Sequence, residues 1–241
     1  MNIVISGYGR MGKLIHETAV NRKHNIVAIV DKDEDWDVYS KEISTSDMVI
    51  DFSLPDCAIK NIERCFDLNV PIIEGTTGWY DKIAEIRNTC INKNKSLLYA
   101  PNFSIGVNMF FLVNKYLSGL MNELPQYDVY IKETHHTAKI DAPSGTAIKL
   151  AEDIIKKSST KEKWINFTSV NKSELQIISD RKDNIVGNHK VIYFSNEDEI
   201  TIEHNAKNRK GFAIGAVLAA EWLKDKKGFF EMKDMLKIGS A

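Results

Sequence analysis

A glycine loop near the start of the sequence carries the first residues that could do chemistry. Gly7, Gly9 and Gly12 match the pattern GxGxxG between a predicted strand and a predicted helix, and Asp31 ends the next strand. Glycine lets the backbone turn tightly and approach a pyrophosphate, while free N–H groups at the helix start bind the anion. Asp31 could accept hydrogen bonds from the adenosine ribose. The spacing predicts a dinucleotide site, with an ordinary strand-to-helix turn as the alternative.

Two further loops leave predicted strands at the same edge of the predicted sheet. One is the GTTG loop at residues 75–78, and the other is the APNF loop at residues 100–103. In open parallel sheets, ligands bind beyond the carboxyl ends of the strands. We therefore expect both loops to line the crevice that holds a nicotinamide. Plain turn chemistry is the alternative, because Gly, Pro and Asn are common turn formers.

The densest polar cluster of the sequence is ETHHTAKIDAPSGTA, at residues 133–147. Adjacent side chains on an extended chain point to opposite sides, so His135 and His136 should have different roles. Lys139 can return to the same pocket only if the chain turns, and the APSG run favours a turn. The cluster predicts a substrate site with an imidazole and an ammonium group.

The end of this cluster predicts a seat for an anion. Ser144, Gly145 and Thr146 precede an apolar helical stripe, so they supply hydroxyls and unpaired N–H groups at a positive helix end. Such a helix start could bind a carboxylate. A serine in this position is also a common helix cap, which is the alternative.

Two other chemistries fit parts of the same cluster. A metal site would need a third ligand, but His189 and His204 are distant in the sequence and lie in other predicted strands, so we expect no metal. A hydrolase could use Ser144, His135 and Asp141. However, Ser144 lacks the GxSxG pattern, and a hydrolase would leave the dinucleotide loop without a use.

Short apolar strands alternate with amphipathic helices over residues 1–104. Strands without polar alternation, separated by helices, are typical of a parallel sheet that is covered on both faces. The predicted strands are NIVISG, IVAIVD, DMVIDFS, PIIEGT and SLLYAP. The predicted fold class is therefore α/β, with a dinucleotide-binding domain over residues 1–104.

The pattern changes after Phe103. A long apolar helix candidate, SIGVNMFFLVNKYLSGLM, precedes the alternating strand YDVYIKE and the helix AIKLAEDIIKK. Three more strand-like segments follow, LQIISD, HKVIYF and EITIEH, and they indicate a smaller α+β domain with an antiparallel or mixed sheet over residues 105–209. The last helix, GFAIGAVLAAEWL, is expected to pack back on the first domain as part of residues 210–241.

Composition and charge exclude several function classes. The chain is 43% apolar and 27% charged, as in ordinary globular proteins. A net charge of -1 provides no positive field for nucleic acid or a membrane surface. Three cysteines without a CxxC pair fit a reducing compartment, and we find no targeting segment and no membrane-spanning stretch. We expect a cytoplasmic protein that binds a small molecule.

On these motifs the sequence resembles the 4-hydroxy-tetrahydrodipicolinate reductase (dihydrodipicolinate reductase) family. The segments that carry the resemblance are GYGRMG, EGTTGW, APNFSIGVN, ETHHTAKIDAPSGTA, DRKDNIVGNHKV, EITIEHNAKNR and GFAIGA. The resemblance implies a Rossmann cofactor domain and a substrate domain whose open sheet assembles a homotetramer. It also implies that NADH or NADPH delivers hydride to a cyclic dicarboxylate imine in lysine and diaminopimelate biosynthesis.

The resemblance further implies roles for individual residues. His135 is the proton donor and Lys139 is its catalytic partner. The substrate carboxylates are bound by His136, Ser144, Gly145 and Thr146. The cofactor contacts are Gly7, Tyr8, Gly9, Arg10, Met11, Gly12, Asp31, Lys32, Gly75, Thr76, Thr77, Ala100, Pro101, Asn102 and Phe103. A histidine acid suits neutral pH, and a lysine charge can stabilise a developing anion.

The choice between the two cofactors is left open by the sequence. Asp31 favours NADH, whereas Lys32 could receive the 2′-phosphate of NADPH. The linker KDEDWDVYSKE after Asp31 is shorter than in the longer family members. Two alternative functions remain, a dehydrogenase for another semialdehyde or imino acid and a dinucleotide-binding protein without turnover.

Overall fold

A computed structural model describes residues 1–237 and divides the chain into two compact units. The first unit comprises Met1–Ile105 and the chain from Arg209 onwards, and the second comprises Gly106–Asn208. Each unit has its own sheet and its own hydrophobic core. Among the described residues, none of the helices combines the length and the apolar character that a bilayer crossing requires.

The first unit is built on a six-stranded sheet. Its strands are β1 (Asn2–Ser6), β2 (Asn25–Val30), β3 (Met48–Asp51), β4 (Ile72–Glu74), β5 (Ser96–Tyr99) and β11 (Gly228–Glu231). Their order is β11-β5-β4-β3-β1-β2, and every neighbouring pair is parallel. The strand order reverses between β1 and β3, because the chain moves outward to β2 and then returns past β1. Open α/β sheets bind their ligands at such a point.

Helices cover both faces of this sheet. They are α1 (Arg10–Asn21), α2 (Asp35–Val38), α3 (Ser40–Ser44), α4 (Pro55–Asp67), the 3₁₀ turn Tyr80–Lys82, α5 (Ile83–Asn92), α8 (Lys210–Leu223) and α9 (Met232–Met235). Helices α1 and α8 pack around Ile5 on one face, and α4 and α5 pack around Val4 on the other. Burial on both faces explains the unbroken apolar runs of the strands and confirms the predicted α/β class.

The second unit is a mixed sheet that is covered by helices on one face. Its elements are α6 (Ile105–Met121), β6 (Asp128–His135), α7 (Gly145–Ile155), β7 (Lys163–Ile165), β8 (Glu174–Arg181), β9 (Gly187–Phe194) and β10 (Glu199–Ala206). In the strand order β10-β9-β6-β8-β7, β6 is antiparallel to β9 and parallel to β8. The mixed alternative of the sequence analysis is therefore confirmed.

Two short strands were not predicted. The four residues of β11 are too few to show a period, and they follow a charged turn. Strand β7 begins inside a charged run that suggests solvated chain. The structure instead buries Lys161 just before β7, where its Nζ lies 2.6 Å from Asp128 Oδ1 and donates to the Glu174 carbonyl oxygen.

Candidate functional site

The glycine loop between β1 and α1 has the geometry of an anion cradle. Gly7 has a φ of +82°, and a Cβ on it would lie 2.3 Å from the Phe52 carbonyl oxygen. A Cβ on Gly12 would lie 2.0 Å from the Gly7 carbonyl oxygen, so neither position accepts a side chain without rearrangement. A Cβ on Gly9 would meet no atom within 4 Å, which leaves open space at the start of α1. The loop offers backbone N–H groups and room for a ligand.

Asp31 is tied to this loop from the end of β2. Its Oδ1 accepts a hydrogen bond of 2.7 Å from the Tyr8 N–H, while its side chain remains exposed. A ribose hydroxyl beside the loop could donate to this carboxylate. Arg10 and Lys32 are also exposed, and Met11 is half-buried. The residues present therefore fit a dinucleotide.

Phe52 brings three of the predicted cofactor loops together, although sequence analysis assigned it no role. Its carbonyl oxygen closes against Gly7, and a Cβ on Gly75 would lie 2.3 Å from its ring. Its ring lies 5.6 Å from the ring of Phe103 between centroids. The loops after β1, β4 and β5 therefore converge on one residue, the first on its backbone and the other two on its ring.

The side chains of the loop after β4 point in different directions. Thr76 is buried, and its Oγ1 donates to Asp51 Oδ2 at 3.1 Å and accepts from the Ser53 N–H at 3.0 Å. Thr77 is exposed. Thr76 therefore anchors the loop to β3, whereas Thr77 can contact a ligand directly.

A buried carboxyl pair lies beneath this loop. Asp51 and Glu74 are in register on β3 and β4, and both are fully buried. Burial raises the pKa of Asp51, and burial together with the Asp51 charge raises the pKa of Glu74 well above its usual range. Glu74 Oε1 accepts from the Thr76 N–H at 2.7 Å, and Asn61 donates to Asp51 Oδ1 at 3.2 Å. Because the Asp51 charge raises the pKa of Glu74, double ionisation of this buried pair is disfavoured, and we expect a shared proton.

The loop after β5 contributes mainly backbone. Ala100 and Phe103 are buried in the core of the first unit. The Phe103 carbonyl oxygen lies against α8, where a Cβ on Gly215 would come within 1.7 Å of it. Asn102 Oδ1 accepts from the Ser104 N–H at 2.9 Å, and Pro101 is exposed. Cofactor contacts from Ala100 and Phe103 can therefore come only from backbone atoms.

In the second unit, β6 places a carboxylate and an imidazole on its buried face. Glu133 and His135 follow the core residues Val129 and Ile131 at alternate positions. Glu133 Oε2 lies 3.6 Å from His135 Nδ1 and 3.5 Å from His189 Nε2. The His135 and His189 rings meet edge to face, with centroids 4.9 Å apart. One buried carboxylate oxygen therefore faces two imidazole rings.

The charges in this cluster shift two pKa values. Burial opposes ionisation of Glu133, but hydrogen bonds from His189, Ser144 and Ser179 outweigh it and lower the pKa to about 2. Burial is the main cause that lowers the pKa of His135, to about 4, and the electrostatic effects of His189, Lys139 and Arg181 lower it further. Glu133 partly offsets this effect. His135 is therefore neutral near pH 7, beside an ionised carboxylate.

The same cluster corrects one expectation about metals. His189 is distant in the sequence, yet β9 pairs with β6 and brings its ring against His135. Ligand atoms of Glu133, His135 and His189 all lie within 4.8 Å of one another, a donor set of the kind that binds Zn²⁺. The reason given for expecting no metal was therefore wrong, while the absence of a metal requirement stays a prediction.

Lys139 lies on a turn that follows β6. Its N–H donates to the His136 carbonyl oxygen at 3.1 Å, and its Nζ bonds to Asp141 Oδ1 at 2.6 Å. Arg181, at the end of β8, donates to the carbonyl oxygens of Lys139 and Asp141 at 3.2 and 2.6 Å. This clamp fixes the turn on which Lys139 lies. His136, next to His135, is half-buried.

Ser144 caps helix α7 and belongs to the buried cluster. Its Oγ accepts from the Ala147 N–H at 3.2 Å and pairs with His189 Nε2 at 3.1 Å, and its N–H donates to Glu133 Oε1 at 3.0 Å. The geometry supports the capping alternative for Ser144. Gly145 is exposed and Thr146 is half-buried at the first turn of α7, where helix geometry leaves their N–H groups without intrahelical acceptors.

Gly187 packs beside the buried cluster. A Cβ on this residue would lie 3.2 Å from His135 Nε2, so glycine leaves that nitrogen uncrowded. The sequence analysis assigned no role to Gly187 or Arg181, although both lie in the segment DRKDNIVGNHKV. The sequence did carry a signal for Glu133, because residues two apart on a strand share a face.

Comparisons with known proteins agree along the whole chain. Two family models match, "Dihydrodipicolinate reductase, N-terminus" over residues 1–103 and "Dihydrodipicolinate reductase, C-terminus" over residues 106–236. A 4-hydroxy-tetrahydrodipicolinate reductase from Christiangramia forsetii is 48% identical over 237 residues, covering 98% of both chains. Another from Buchnera aphidicola is 35% identical, covering 98% of this chain and 96% of that one.

A solved structure has a similar fold. It is described as a dipicolinate-bound dihydrodipicolinate reductase from Paenisporosarcina sp. TG-14. Its TM-score is 0.75 at 22% identity, and the alignment covers 96% of this chain and 97% of that one. At this identity the likeness supports the fold.

Proposed function

The chain belongs to the dihydrodipicolinate reductase family, and from that premise we propose how its own residues carry the reaction. The enzyme reduces 4-hydroxy-tetrahydrodipicolinate to tetrahydrodipicolinate in lysine and diaminopimelate biosynthesis, with NADH or NADPH as the reductant. The substrate gains a hydride and a proton and loses water. The observation that carries the residue assignment is the Glu133–His135 contact, with Oε2 3.6 Å from Nδ1.

The first unit holds the cofactor, which supplies the hydride when it is bound. The glycine loop and the start of α1 bind the pyrophosphate through backbone N–H groups. Asp31 binds the adenosine ribose, and Thr77 and the backbone of the loop after β5 contact the nicotinamide half. Thr76 positions its loop through Asp51. The full set of cofactor residues is Gly7, Tyr8, Gly9, Arg10, Met11, Gly12, Asp31, Lys32, Gly75, Thr76, Thr77, Ala100, Pro101, Asn102 and Phe103.

The second unit binds the dicarboxylate. The N–H groups of Gly145 and Thr146, at the positive end of α7, donate hydrogen bonds to one carboxylate. His136 contributes to binding the same carboxylate. Lys139 leaves its ion pair with Asp141 and pairs with the substrate anion instead. Ser144 supports this seat by capping α7 and by donating its N–H to Glu133.

His135 donates the proton. The Glu133 carboxylate faces Nδ1 of the imidazole at 3.6 Å, a charge contact longer than a hydrogen bond, and Nε2, beside Gly187, is the nitrogen that donates to the substrate. The ring is neutral in the ligand-free protein because its pKa is lowered to about 4, chiefly by burial. A bound dicarboxylate adds negative charge and favours the imidazolium form. Substrate binding therefore charges the acid that completes the reduction.

The assembly is a cytoplasmic homotetramer. The face of the second sheet opposite α7 carries apolar side chains, including Tyr130, Ile192 and the 40% exposed Phe194. The Tyr130 and Phe194 rings meet edge to face at 5.7 Å between centroids. An apolar sheet face of this kind is a favourable interface between copies of one chain. Sedimentation should give four times the chain mass of 27.4 kDa, and a monomer at micromolar concentration would contradict this assembly.

Activity is tested with freshly condensed pyruvate and aspartate semialdehyde. The purified full chain should oxidise NADH or NADPH only when this product is present, as loss of absorbance at the nicotinamide band. Pyridine-2,6-dicarboxylate should inhibit, because it presents two carboxylates on a planar ring. Turnover of another imino acid or semialdehyde in place of this product would overturn the substrate assignment. Cofactor binding without turnover of any substrate would indicate a binding protein.

A further inference from the structure

The segment after β2 is strongly acidic and folds back on itself. Residues 31–37, DKDEDWD, carry five carboxylates and one ammonium group. Asp35, at the start of α2, turns its side chain back toward the end of the strand. Its Oδ2 accepts the N–H groups of both Asp31 and Lys32, each at 2.8 Å. These two bonds lower the pKa of Asp35, so the carboxylate is ionised at neutral pH.

The two N–H groups held by Asp35 lie at the end of β2, where dinucleotide-binding folds distinguish NADH from NADPH. In dinucleotide-binding folds, the residues at the end of the second strand surround the adenosine ribose. A 2′-phosphate at that ribose needs N–H donors and cations to offset its charge. Here, the backbone donors are already satisfied by a carboxylate, and Asp31 adds a second negative group.

Two side-chain cations of α4 are paired with the same acidic segment. Lys60 Nζ lies 2.9 Å from Asp33 Oδ2, and Arg64 Nη1 lies 2.7 Å from Asp33 Oδ1. Bonds from Arg64 and Lys60 lower the pKa of Asp33 to about 2. The Arg64 guanidinium also stacks 5.3 Å from the centre of the Trp36 ring. Lys32 and Arg10 remain as exposed cations among the predicted cofactor residues, and the N–H of Lys32 is held by Asp35.

We propose that this enzyme selects NADH over NADPH, and that Asp35 is the specificity-determining residue. Its carboxylate occupies the two backbone N–H groups that a 2′-phosphate would use and repels the phosphate itself. NADH has hydroxyls at this ribose. These hydroxyls can donate to Asp31 and need neither of the two backbone N–H groups that Asp35 holds. The inference rests on the proposed dinucleotide site of the first unit.

The test compares cofactor affinities of the full-length protein, followed by nicotinamide fluorescence. Wild type should bind NADH at least about tenfold more tightly than NADPH, the factor expected from one lost charge-assisted interaction. Asp35→Ala should tighten NADPH binding about tenfold and leave NADH nearly unchanged. Asp35→Asn keeps an acceptor for the N–H groups without the charge, so its NADPH affinity should lie between those of wild type and Asp35→Ala.

Asp37→Ala is the matched control. Asp37 is an exposed carboxylate on the same short helix, so its removal changes net charge equally and leaves the two N–H groups held. Equal effects of Asp35→Ala and Asp37→Ala on the NADPH-to-NADH ratio would overturn the role of Asp35. Equal binding of both cofactors by wild type would overturn the selectivity alone, whereas binding of neither would also overturn the dinucleotide site. Thermal melting of each variant confirms that it is folded.

Discussion

The Glu133 carboxylate and the His135 imidazole lie on the same buried face of β6, with Oε2 3.6 Å from Nδ1. The carboxylate is ionised and buried, so its negative charge favours a proton on the ring nitrogen that it faces. This relationship explains how a buried histidine can present one defined nitrogen to a substrate. It also gives Glu133 a measurable role that differs from that of a core residue.

Glu133→Gln should lower kcat about 10- to 100-fold, because the ring loses the charge that fixes its tautomer and stabilises its cation. The Kd for NADH should not change, since Glu133 belongs to the second unit. Steady-state kinetics and cofactor titration give the two values. A kcat within about twofold of wild type would show that Glu133 does not assist His135 in the reaction.

Stability should fall in acid, partly because of His135. Its pKa is lowered to about 4 in the folded protein, from 6.5, so the unfolded chain binds a proton first as the pH falls. The contribution is present above pH 6.5 and is lost as the pH drops toward 4. Urea midpoints at pH 7.5 and 5 should differ less in His135→Asn than in wild type. An identical difference in both proteins would contradict the burial of a neutral His135.

Asp51 and Glu74 should hold one proton at neutral pH. Infrared spectra should show the carbonyl band of a buried carboxylic acid in wild type, and the band should be lost in Glu74→Gln. The Glu74→Gln amide is a neutral isostere, so the free energy of unfolding should change by less than about 1 kcal/mol. Asp51→Ala should lower the free energy of unfolding by about 2–4 kcal/mol, because the donors of Thr76 and Asn61 lose a buried acceptor. Equal losses of unfolding free energy in Glu74→Gln and Asp51→Ala would contradict a shared proton.

Gly9→Ala and Gly12→Ala should separate folding from cofactor binding. A Cβ on Gly9 meets no protein atom within 4 Å, so this variant should keep its melting temperature and yet bind NADH more weakly. A Cβ on Gly12 would collide with the Gly7 carbonyl oxygen, so Gly12→Ala should lower both the melting temperature and the affinity for NADH. Unimpaired NADH binding by Gly9→Ala would show that no ligand approaches the loop closely.

The sequence predicted the helices and strands with a regular apolar pattern well, because such patterns are local. Unbroken apolar runs indicated the strands of the first sheet, and alternation along YDVYIKE indicated β6 with its buried face. The helix start at Ser144 followed from capping chemistry, and the structure has Ser144 as the cap. The short strands β7 and β11 offered too few residues for any period.

The arrangement of the site depended on pairings that no local pattern contains. His189 reaches His135 because β9 pairs with β6 in one particular register, and Arg181 reaches Lys139 because β8 ends beside it. Phe52 is part of the site through its carbonyl and its ring, and neither has a sequence signature. Register is set by the whole sheet, so only the structure could bring these residues together.

We propose that His135 is the proton donor and that it takes no part in cofactor binding. The direct measurement compares wild type and His135→Asn in two assays, steady-state reduction of the freshly condensed substrate and titration with NADH. We predict that kcat falls about 10²- to 10⁴-fold while the Kd for NADH changes by less than about twofold. A variant that keeps wild-type kcat, or that loses NADH affinity as much as turnover, would contradict the account.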